Sequence, residues 1–242
     1  REVSGMSADV FARRVAGCRI EGVGRHGKWL ILELSPAASS QSAGAPAFLL
    51  AHLRMSGRLD VVSQAEAFTP HARVVWLLDG GWALRFDDAR KFGRVCLTDR
   101  VSDVIGDLGP DALSVDLETF AARLTPKRGA LKPILLDQTF VAGVGNIYAD
   151  EALFVARLHP KRSAVTLSSE EVARLHQAIC SVLSEAIAAN GASFDWVYPG
   201  GNYQDHFKVY GRTGQPCSRC GYPIQRMVVA QRSTHFCAMC QH

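Results

Sequence analysis

The chain has 242 residues, of which 48% are hydrophobic and 21% charged, and these proportions are typical of a globular protein with enough chain for two domains. Its net charge of +4 favours a nucleic-acid partner only weakly, because many proteins carry such a surplus without one. No run of about 18 apolar residues occurs, so the sequence predicts no membrane span.

The first hundred residues predict short antiparallel strands. Asp79, Gly80 and Gly81 separate two apolar runs and are a strong hairpin signal. Residues 35–46, rich in Ala, Ser, Gly and Pro, indicate a flexible hairpin loop. The predicted strands cover 27–34, 48–53, 74–78, 82–86 and 94–97. This all-β pattern indicates an antiparallel sandwich or barrel.

Beyond Pro110 the pattern becomes helical. Ser168 is a good N-cap, with Glu170 and Glu171 in the first turn that follows it. Asn190 and Gly191 favour a helix end. The predicted helices cover 117–124, 131–138, 146–154 and 169–190. A polar, glycine-containing loop over 192–205 leads into a small β-hairpin module.

Four of the seven cysteines form two C-x-x-C pairs. The sixteen residues between the pairs suit a β-hairpin, and four thiolates complete the tetrahedral shell of a structural zinc ion. Two disulfides or free thiols are the alternative. An odd cysteine total with one tight quartet favours metal binding in a reducing compartment. The predicted zinc ligands are Cys217, Cys220, Cys237 and Cys240.

The remaining cysteines and nearby histidines have plainer interpretations. Cys18, Cys96 and Cys180 lie in apolar stretches and are predicted to be buried free thiols. His235 and His242 lie near the quartet, where each is a spare ligand or, as we favour, an ordinary surface residue.

Two further segments suit phosphate binding. Gly143 and Gly145 form a predicted tight turn before a helix that begins at Asn146, and backbone N–H groups at such a turn can hold a phosphate. Gln231 and Arg232 are predicted on the turn of the zinc hairpin, where an exposed arginine suits a phosphate contact. A merely solvated arginine is the alternative.

The segment from Phe140 to Glu151 resembles the helix–two-turn–helix of the formamidopyrimidine-DNA glycosylase and endonuclease VIII family. Several other segments resemble family motifs and occur in the same order along nearly the entire chain. They are Lys132-Pro133, 52–59, 87–94, 158–160 and 209–212.

The resemblance implies an α+β fold. It has an N-terminal antiparallel β-sandwich (1–113), a helical domain with the helix–two-turn–helix (117–205) and a four-cysteine zinc-finger hairpin (206–242). DNA is expected between the two main domains, with binding that weakens steeply as salt rises.

The resemblance also implies an activity. The family removes oxidised purines, such as 8-oxoguanine and formamidopyrimidines, from double-stranded DNA by flipping the base and forming a Schiff base, and then cleaves abasic sites by β,δ-elimination. We therefore expect a monomeric base-excision repair enzyme with one structural Zn²⁺, located in the bacterial cytoplasm and associated with the nucleoid.

The family nucleophile is an N-terminal proline amine, with a glutamate beside it as acid. The chain opens at Arg1 in the middle of the family pattern. We therefore expect further residues upstream, and we expect that residues 1–242 alone do not perform the family reaction.

Several residues match family positions with catalytic or DNA-binding roles. Lys28 resembles the lysine near the lesion that assists elimination, although a plain strand-edge lysine is the alternative. Arg232 resembles the zinc-finger arginine assigned to δ-elimination, and Asn146 the phosphate-binding asparagine. Further DNA contacts are implied for His71, Arg90 and Arg128.

Three residues match the side chains that fill the hole left by the flipped base. Met55 and Phe92 would replace lost stacking, while Arg90 would hydrogen-bond the unpaired cytosine. The local sequence alone favours core packing for Met55 and Phe92, but the Arg-Lys-Phe-Gly turn from Arg90 to Gly93 indicates exposure of Phe92. Residues 192–203 align with the loop that closes over the flipped base, without assigned base contacts. Arg54 stands where the family commonly has glycine.

Three other functions compete with the favoured one. An endonuclease VIII-like enzyme would prefer oxidised pyrimidines, but the loop with Arg90 and Phe92 and the long segment before the zinc finger favour purines. A non-catalytic damaged-DNA-binding protein is the second alternative. A sequence-specific zinc-finger regulator is disfavoured, because the short hairpin offers no long recognition helix.

Overall fold

The computed structural model describes residues 6–36, 46–193 and 200–242. The chain forms two compact units, Arg1–Asp107 and Leu108–His242. Strands dominate the first unit, whereas the second contains helices and a two-stranded hairpin, so the predicted α+β fold is confirmed. The finer boundaries at residues 113 and 206 stay predictions. Within the described ranges, no helix combines the length and apolar character needed to cross a membrane.

In the parts of the first unit that the structure describes, two antiparallel sheets form, of strand order β1-β2-β3-β7 and β4-β6-β5. A helix, α1 (Ala8–Val15), precedes the sheets, and a short one, α2 (Ser102–Ile105), follows them. The strands are β1 (Cys18–His26), β2 (Trp29–Pro36), β3 (Phe48–His52), β4 (Gly57–Ser63), β5 (Ala72–Leu77), β6 (Trp82–Asp88) and β7 (Arg94–Thr98).

The core of this unit lies between the two sheets. Leu32 and Leu49 from the four-stranded sheet pack in one apolar cluster with Leu84 and Phe86 from β6. Phe11 of α1 joins the same cluster. Both sheets therefore bury one face against each other, as a sandwich requires.

The structure corrects several predicted elements of this unit. α1, α2, β1 and β4 were not predicted, although Ser7 caps α1 by accepting a hydrogen bond from the Val10 N–H. β2 begins at Trp29 instead of residue 27, because Gly27, with φ of 56°, and Lys28 form the turn between β1 and β2. Most of the predicted loop over 35–46 lies outside the described residues.

The second unit contains four α-helices, two short 3-10 helices (Ala164–Thr166 and Tyr203–His206) and one hairpin within its described residues. The helices are α3 (Leu117–Leu124), α4 (Leu131–Leu136), α5 (Asn146–Val155) and α6 (Ser169–Ala188), and the hairpin strands are β8 (Gln225–Val229) and β9 (Arg232–Phe236).

Helix ends in this unit follow from local chemistry. Ser168 and Glu171 form a capping box at the start of α6, as expected from the sequence. After α6, Asn190 and Gly191 adopt left-handed φ values of 57° and 80°, which ends the helix. α4 ends two residues earlier than predicted, because Asp137 adopts an extended conformation.

Helix α5 lies at the centre of the second unit. Six consecutive residues from Ala149 to Phe154 are buried, and two of them are the acids Asp150 and Glu151. The helix packs on α4, α6 and β9. Two adjacent buried carboxylates need partners from neighbouring segments, and those partners build the candidate site.

Candidate DNA-binding surfaces and metal centre

The four cysteines of the C-x-x-C pairs form one cluster. Their sulfur atoms all lie within 4.8 Å of one another. The Sγ atoms of Cys217 and Cys240 are 3.9 Å apart, and those of Cys220 and Cys237 are 3.5 Å apart. A tetrahedral zinc with Zn–S bonds of about 2.3 Å needs sulfur separations of about 3.8 Å. The cluster therefore fits one zinc ion with a closed protein shell.

The hairpin between the cysteine pairs ends in a two-residue turn. Ala230 and Gln231 adopt left-handed φ values of 46° and 62°. Arg232 is the first residue of β9 and is exposed, so it lies one residue beyond the predicted turn position. Its side chain is still available to a ligand at this end of the hairpin.

A buried ion pair fixes the hairpin to the helices. Lys132 on α4 and Asp150 on α5 are fully buried, with Nζ and Oδ1 2.6 Å apart. Lys132 Nζ also donates to the Ser233 carbonyl at 2.8 Å and to Thr234 Oγ1 at 2.9 Å. Burial lowers the pKa of Lys132, and the charge of Asp150 offsets part of this effect. One lysine thus joins α4, α5 and β9.

His235 belongs to the same network, and its prediction as a surface residue was wrong. It is 6% exposed, its backbone N–H donates to Asp150 Oδ2 at 2.9 Å, and its Nδ1 lies 3.3 Å from that oxygen. His235 therefore helps hold β9 against α5.

Asn146, the first residue of α5, contacts the backbone of β9 directly after Arg232. Asn146 Nδ2 donates to the Ser233 carbonyl at 3.2 Å, next to Arg232 in the chain. No side chain caps α5 among the described residues, so the first N–H groups of the helix remain available. A helix N-terminus with an adjacent amide and a nearby arginine suits an anion such as phosphate.

Gln138 shapes the turn before α5, a role that was not predicted. Its Oε1 accepts the Gly143 N–H at 3.1 Å, while its Nε2 donates to the carbonyls of Val144 and Leu136 at 3.0 and 2.9 Å. Gly143 has φ of 114°, a conformation that favours glycine. One side-chain amide thus satisfies three backbone groups of the turn.

Glu151 holds the segment before the zinc hairpin. Its carboxylate accepts the backbone N–H groups of Lys208, Val209 and Tyr210 at 2.8, 3.0 and 2.8 Å. Burial raises the pKa of Glu151, although these hydrogen bonds favour the charged form. The adjacent acids of α5 therefore anchor two segments, β9 and 208–210.

In the first unit, Lys28 belongs to a group of cations around His52. Lys28 is exposed in the β1–β2 turn, and β2 pairs Trp29 with His52. The pKa of His52 is lowered to about 4 by burial and by the charges of Arg54, Lys28 and Arg94. Nδ1 of His52 accepts the Arg54 N–H at 3.0 Å, which the neutral ring allows. This end of the sheet therefore concentrates positive charge.

The predicted hole-filling residues lie together in two neighbouring turns. Met55 is 59% exposed and Phe92 is 53% exposed, so neither packs in the core. Arg90 places its guanidinium 4.9 Å from the centre of the Phe92 ring, and its Nη1 lies 3.4 Å from Met55 Sδ. Two apolar groups and a guanidinium form one exposed cluster.

The other predicted positions lie elsewhere. The His71 carbonyl accepts the Asp88 N–H at 2.9 Å, which places His71 beside the end of β6. Arg128 is exposed between α3 and α4. Half of the loop over 192–203 that was expected to close over a base, residues 194–199, lies outside the described residues. Ser193 is described, and its Oγ accepts the Gly201 N–H at 2.8 Å.

Three family models match consecutive parts of the chain. The formamidopyrimidine-DNA glycosylase N-terminal domain matches residues 1–95, and the formamidopyrimidine-DNA glycosylase H2TH domain matches residues 108–196. The zinc finger found in FPG and IleRS matches residues 214–242, which include the cysteine cluster.

Individual proteins agree with the family models. A formamidopyrimidine-DNA glycosylase of Herpetosiphon aurantiacus is 46% identical over 97% of this chain and 86% of its own length. A crystal structure of Lactococcus lactis Fpg with abasic-site DNA has a TM-score of 0.87 at 33% identity, covering 99% of this chain and 88% of that chain. MutM in complex with carbocyclic 8-oxo-G DNA has a TM-score of 0.83 at 34% identity, covering 97% and 86%.

Proposed function

The chain belongs to the formamidopyrimidine-DNA glycosylase family, and from this premise we propose that it excises oxidised purines from double-stranded DNA and cleaves the resulting abasic sites. One structural Zn²⁺ is held by its four clustered cysteines. The expected DNA contains 8-oxoguanine, a formamidopyrimidine or an abasic site, and the protein acts as a monomer. A bacterial cytoplasmic location, at the nucleoid, belongs to the same proposal.

The exposed cluster of Met55, Arg90 and Phe92 carries the proposal. An enzyme that flips a base must stabilise the unpaired partner and the interrupted stack, which otherwise cost a few kcal/mol. Met55 and Phe92 offer apolar surface for that gap. The guanidinium of Arg90 lies beside both and offers donors to the acceptors of an unpaired cytosine. A purely structural cluster would bury these apolar groups.

The phosphate contacts are proposed for the uncapped start of α5 and for exposed cations. Asn146 lies at that helix start, with Arg232 beside it along β9. Lys28, Arg90 and Arg128 are exposed and able to neutralise further phosphates. If four cations each neutralise one phosphate, log K should fall with log salt with a slope of about −3.6. A flat salt dependence on damaged duplex would contradict these contacts.

The elimination steps are assigned to two cations. Lys28 is proposed to contact the phosphate beside the lesion, where the surrounding charge of Arg54 and Arg94 also favours an anion. Arg232 is proposed to bind the phosphate that leaves in δ-elimination, because β9 holds it rigidly through Ser233 and Thr234. His71 is proposed as an additional DNA contact beside the end of β6.

Excision kinetics separate the favoured function from its alternatives. With protein expressed from its complete reading frame, we expect kcat/KM for 8-oxoguanine opposite cytosine to exceed that for thymine glycol by about 10-fold or more. The reverse preference would support an endonuclease VIII-like activity. Tight binding of damaged duplex without excision of either base would support a non-catalytic damage-binding protein.

A further inference from the structure

We infer that Asp88 is a positioning residue that holds Met55, Arg90 and Phe92 together before DNA binds. The inference rests on the proposed role of these three side chains in filling the gap. Asp88 is the last residue of β6, the central strand of the three-stranded sheet, and it is 1% exposed.

The Asp88 carboxylate binds both turns that carry the cluster. Its Oδ1 accepts the Ser56 hydroxyl at 2.5 Å and the Arg90 N–H at 3.2 Å. Its Oδ2 accepts the Gly93 N–H at 2.7 Å. Ser56 follows Met55 directly, and residues 90–93 form the second turn. One buried group therefore connects two segments that are more than thirty residues apart in the sequence.

Ser56 adds a second link between the turns. Its Oγ accepts the Arg90 N–H at 3.2 Å while its hydroxyl donates to Asp88. The hydroxyl therefore bridges the turn of Met55 to the turn of Arg90. Loss of this hydroxyl would leave the remaining Asp88 contacts in place.

Two glycines allow close contacts, one within the first turn and one between the second turn and β6. A Cβ on Gly57 would lie 2.4 Å from the Leu53 carbonyl oxygen, and a Cβ on Gly93 would lie 2.4 Å from the Phe86 ring. Lys91 between the arginine and the phenylalanine has a left-handed φ of 60°. The second turn thus holds a conformation that an unsupported chain rarely adopts, and the carboxylate supplies the support.

The charged form of Asp88 is the one that these donors need. Burial opposes the charge, but the hydrogen bonds from Ser56 and from the backbone of Gly93 and Arg90 outweigh it, and the pKa of Asp88 is lowered. An asparagine would keep one acceptor oxygen and place an NH₂ group against a donor. The Asp88→Asn substitution therefore removes the hydrogen bonds to one of the two side-chain oxygens while preserving the side-chain volume.

Without this connection each turn can move, so the three side chains must be ordered when DNA binds. We expect Asp88→Asn to reduce the preference for damaged over undamaged duplex by about 10-fold, because a broken charged hydrogen bond changes affinity on this scale. Binding to undamaged duplex should change less than about twofold, because it depends on phosphate contacts, and three of the four proposed ones, Lys28, Arg128 and Arg232, lie outside the cluster.

The test measures dissociation constants by fluorescence anisotropy on a duplex with a tetrahydrofuran abasic analogue opposite cytosine and on the undamaged duplex. Asp116→Asn is the control, since the Asp116 carboxylate also accepts a backbone N–H, that of Thr119 at 2.7 Å at the start of α3, but is exposed and lies outside the cluster. A Met55→Ala, Arg90→Ala, Phe92→Ala triple variant shows how much of the preference for damaged duplex depends on the three side chains of the cluster.

If Asp88 acts by positioning the cluster, the effects of Asp88→Asn and of the triple substitution on the preference for damaged duplex should be strongly non-additive. In the triple variant, Asp88→Asn should change the preference by less than about twofold, because no cluster remains to be positioned. Ser56→Ala should lower the preference by about threefold in the wild-type background and leave the triple variant unchanged. Ser56→Ala alone decides the question if Asp88→Asn does not fold.

The possible failures are distinguishable. If the triple variant loses the preference while Asp88→Asn and Ser56→Ala match Asp116→Asn, the positioning role is overturned and the gap-filling role stands. If Asp88→Asn weakens damaged and undamaged duplex equally, its effect is on folding, and the positioning role is again overturned. If the triple variant keeps the full preference, the gap-filling role fails and this inference fails with it.

Discussion

Breaking the ion pair between Lys132 and Asp150 should destabilise the second unit strongly. Both side chains are 0% exposed, so no water replaces the interaction when Lys132 is changed to methionine. The change leaves Asp150 buried with His235 as its only donor among the described residues, and it removes the donor to Ser233 and Thr234. Removing one partner of a buried pair costs about 3–5 kcal/mol.

A matched lysine gives the control. Lys127 pairs with Asp137 at 3.2 Å, but both side chains are about one-third exposed, at 34% and 37%. Lys127→Met should therefore cost less than about 1 kcal/mol. Thermal unfolding followed by the helical circular-dichroism signal suits both variants, because the helices of the second unit dominate that signal. We expect Lys132→Met to lower Tm by about 10 °C and Lys127→Met by about 2 °C or less.

A second substitution tests the electrostatic explanation. In the Lys132→Met background, Asp150→Asn removes an uncompensated buried charge, so it should restore about 1 kcal/mol instead of costing more. If Lys132→Met and Lys127→Met lower Tm equally, or if the double variant is less stable than Lys132→Met, the ion pair does not hold the unit as described.

Three further predictions concern the metal, pH and the turn before α5. Cys237→Ser removes a zinc ligand, so zinc content by atomic absorption should fall and affinity for damaged duplex should drop about 10-fold; unchanged zinc content would refute the assignment. The pKa of His52 is about 4 in the folded protein, against 6.5 for an ordinary histidine. Between pH 4 and 6.5 the unfolded state therefore binds one more proton at this residue than the folded state does, so stability falls as pH falls from 6.5 to 4. His52→Asn should flatten this loss in urea unfolding, and an unchanged pH profile would contradict the lowered pKa. Gln138→Ala leaves the Gly143 N–H without its acceptor and should weaken DNA binding about fivefold with zinc retained; wild-type affinity would show that the turn holds without Gln138.

Local signals in the sequence were sufficient for much of the fold. α3 and α6 begin where predicted, because Asp116 and Ser168 are strong N-caps, and the hairpin between β5 and β6 follows from its glycines. β1 was missed because it is a sheet edge whose residues are mostly exposed on both faces, so it lacks the apolar alternation that marks a strand.

The buried polar network could not be predicted from local patterns. Lys132 and Thr234 are 102 residues apart in the sequence, and Asp150 and His235 are 85 apart. Charged residues are mostly exposed, so a sequence offers no reason to bury a given lysine. The only available signal was the pair of adjacent acids in an otherwise apolar helix, Asp150 and Glu151. Their partners emerge only when α5, β9 and 208–210 pack together.

The sequence singled out candidate site residues, whose roles stay predictions, but not the geometry that brings them together. Resemblance identified Met55, Arg90 and Phe92. The local sequence favoured a core position for Met55, whereas the polar turn around Phe92 already indicated exposure of that ring. Their exposure depends on the turns at 54–57 and 90–93, which are set by Asp88 and by close contacts of two glycines. Local sequence propensities carry no information about hydrogen bonds and contacts between residues so far apart in the sequence.

Borohydride trapping tests the central claim most directly, since it detects the Schiff base that joins glycosylase and lyase chemistry. Protein expressed from its complete reading frame is mixed with a duplex that carries 8-oxoguanine opposite cytosine, with undamaged duplex as the control. We predict a covalent protein–DNA adduct with the damaged duplex and none with the control. Absence of an adduct with the damaged duplex, under conditions where that duplex is bound, would contradict the proposed glycosylase and lyase activity.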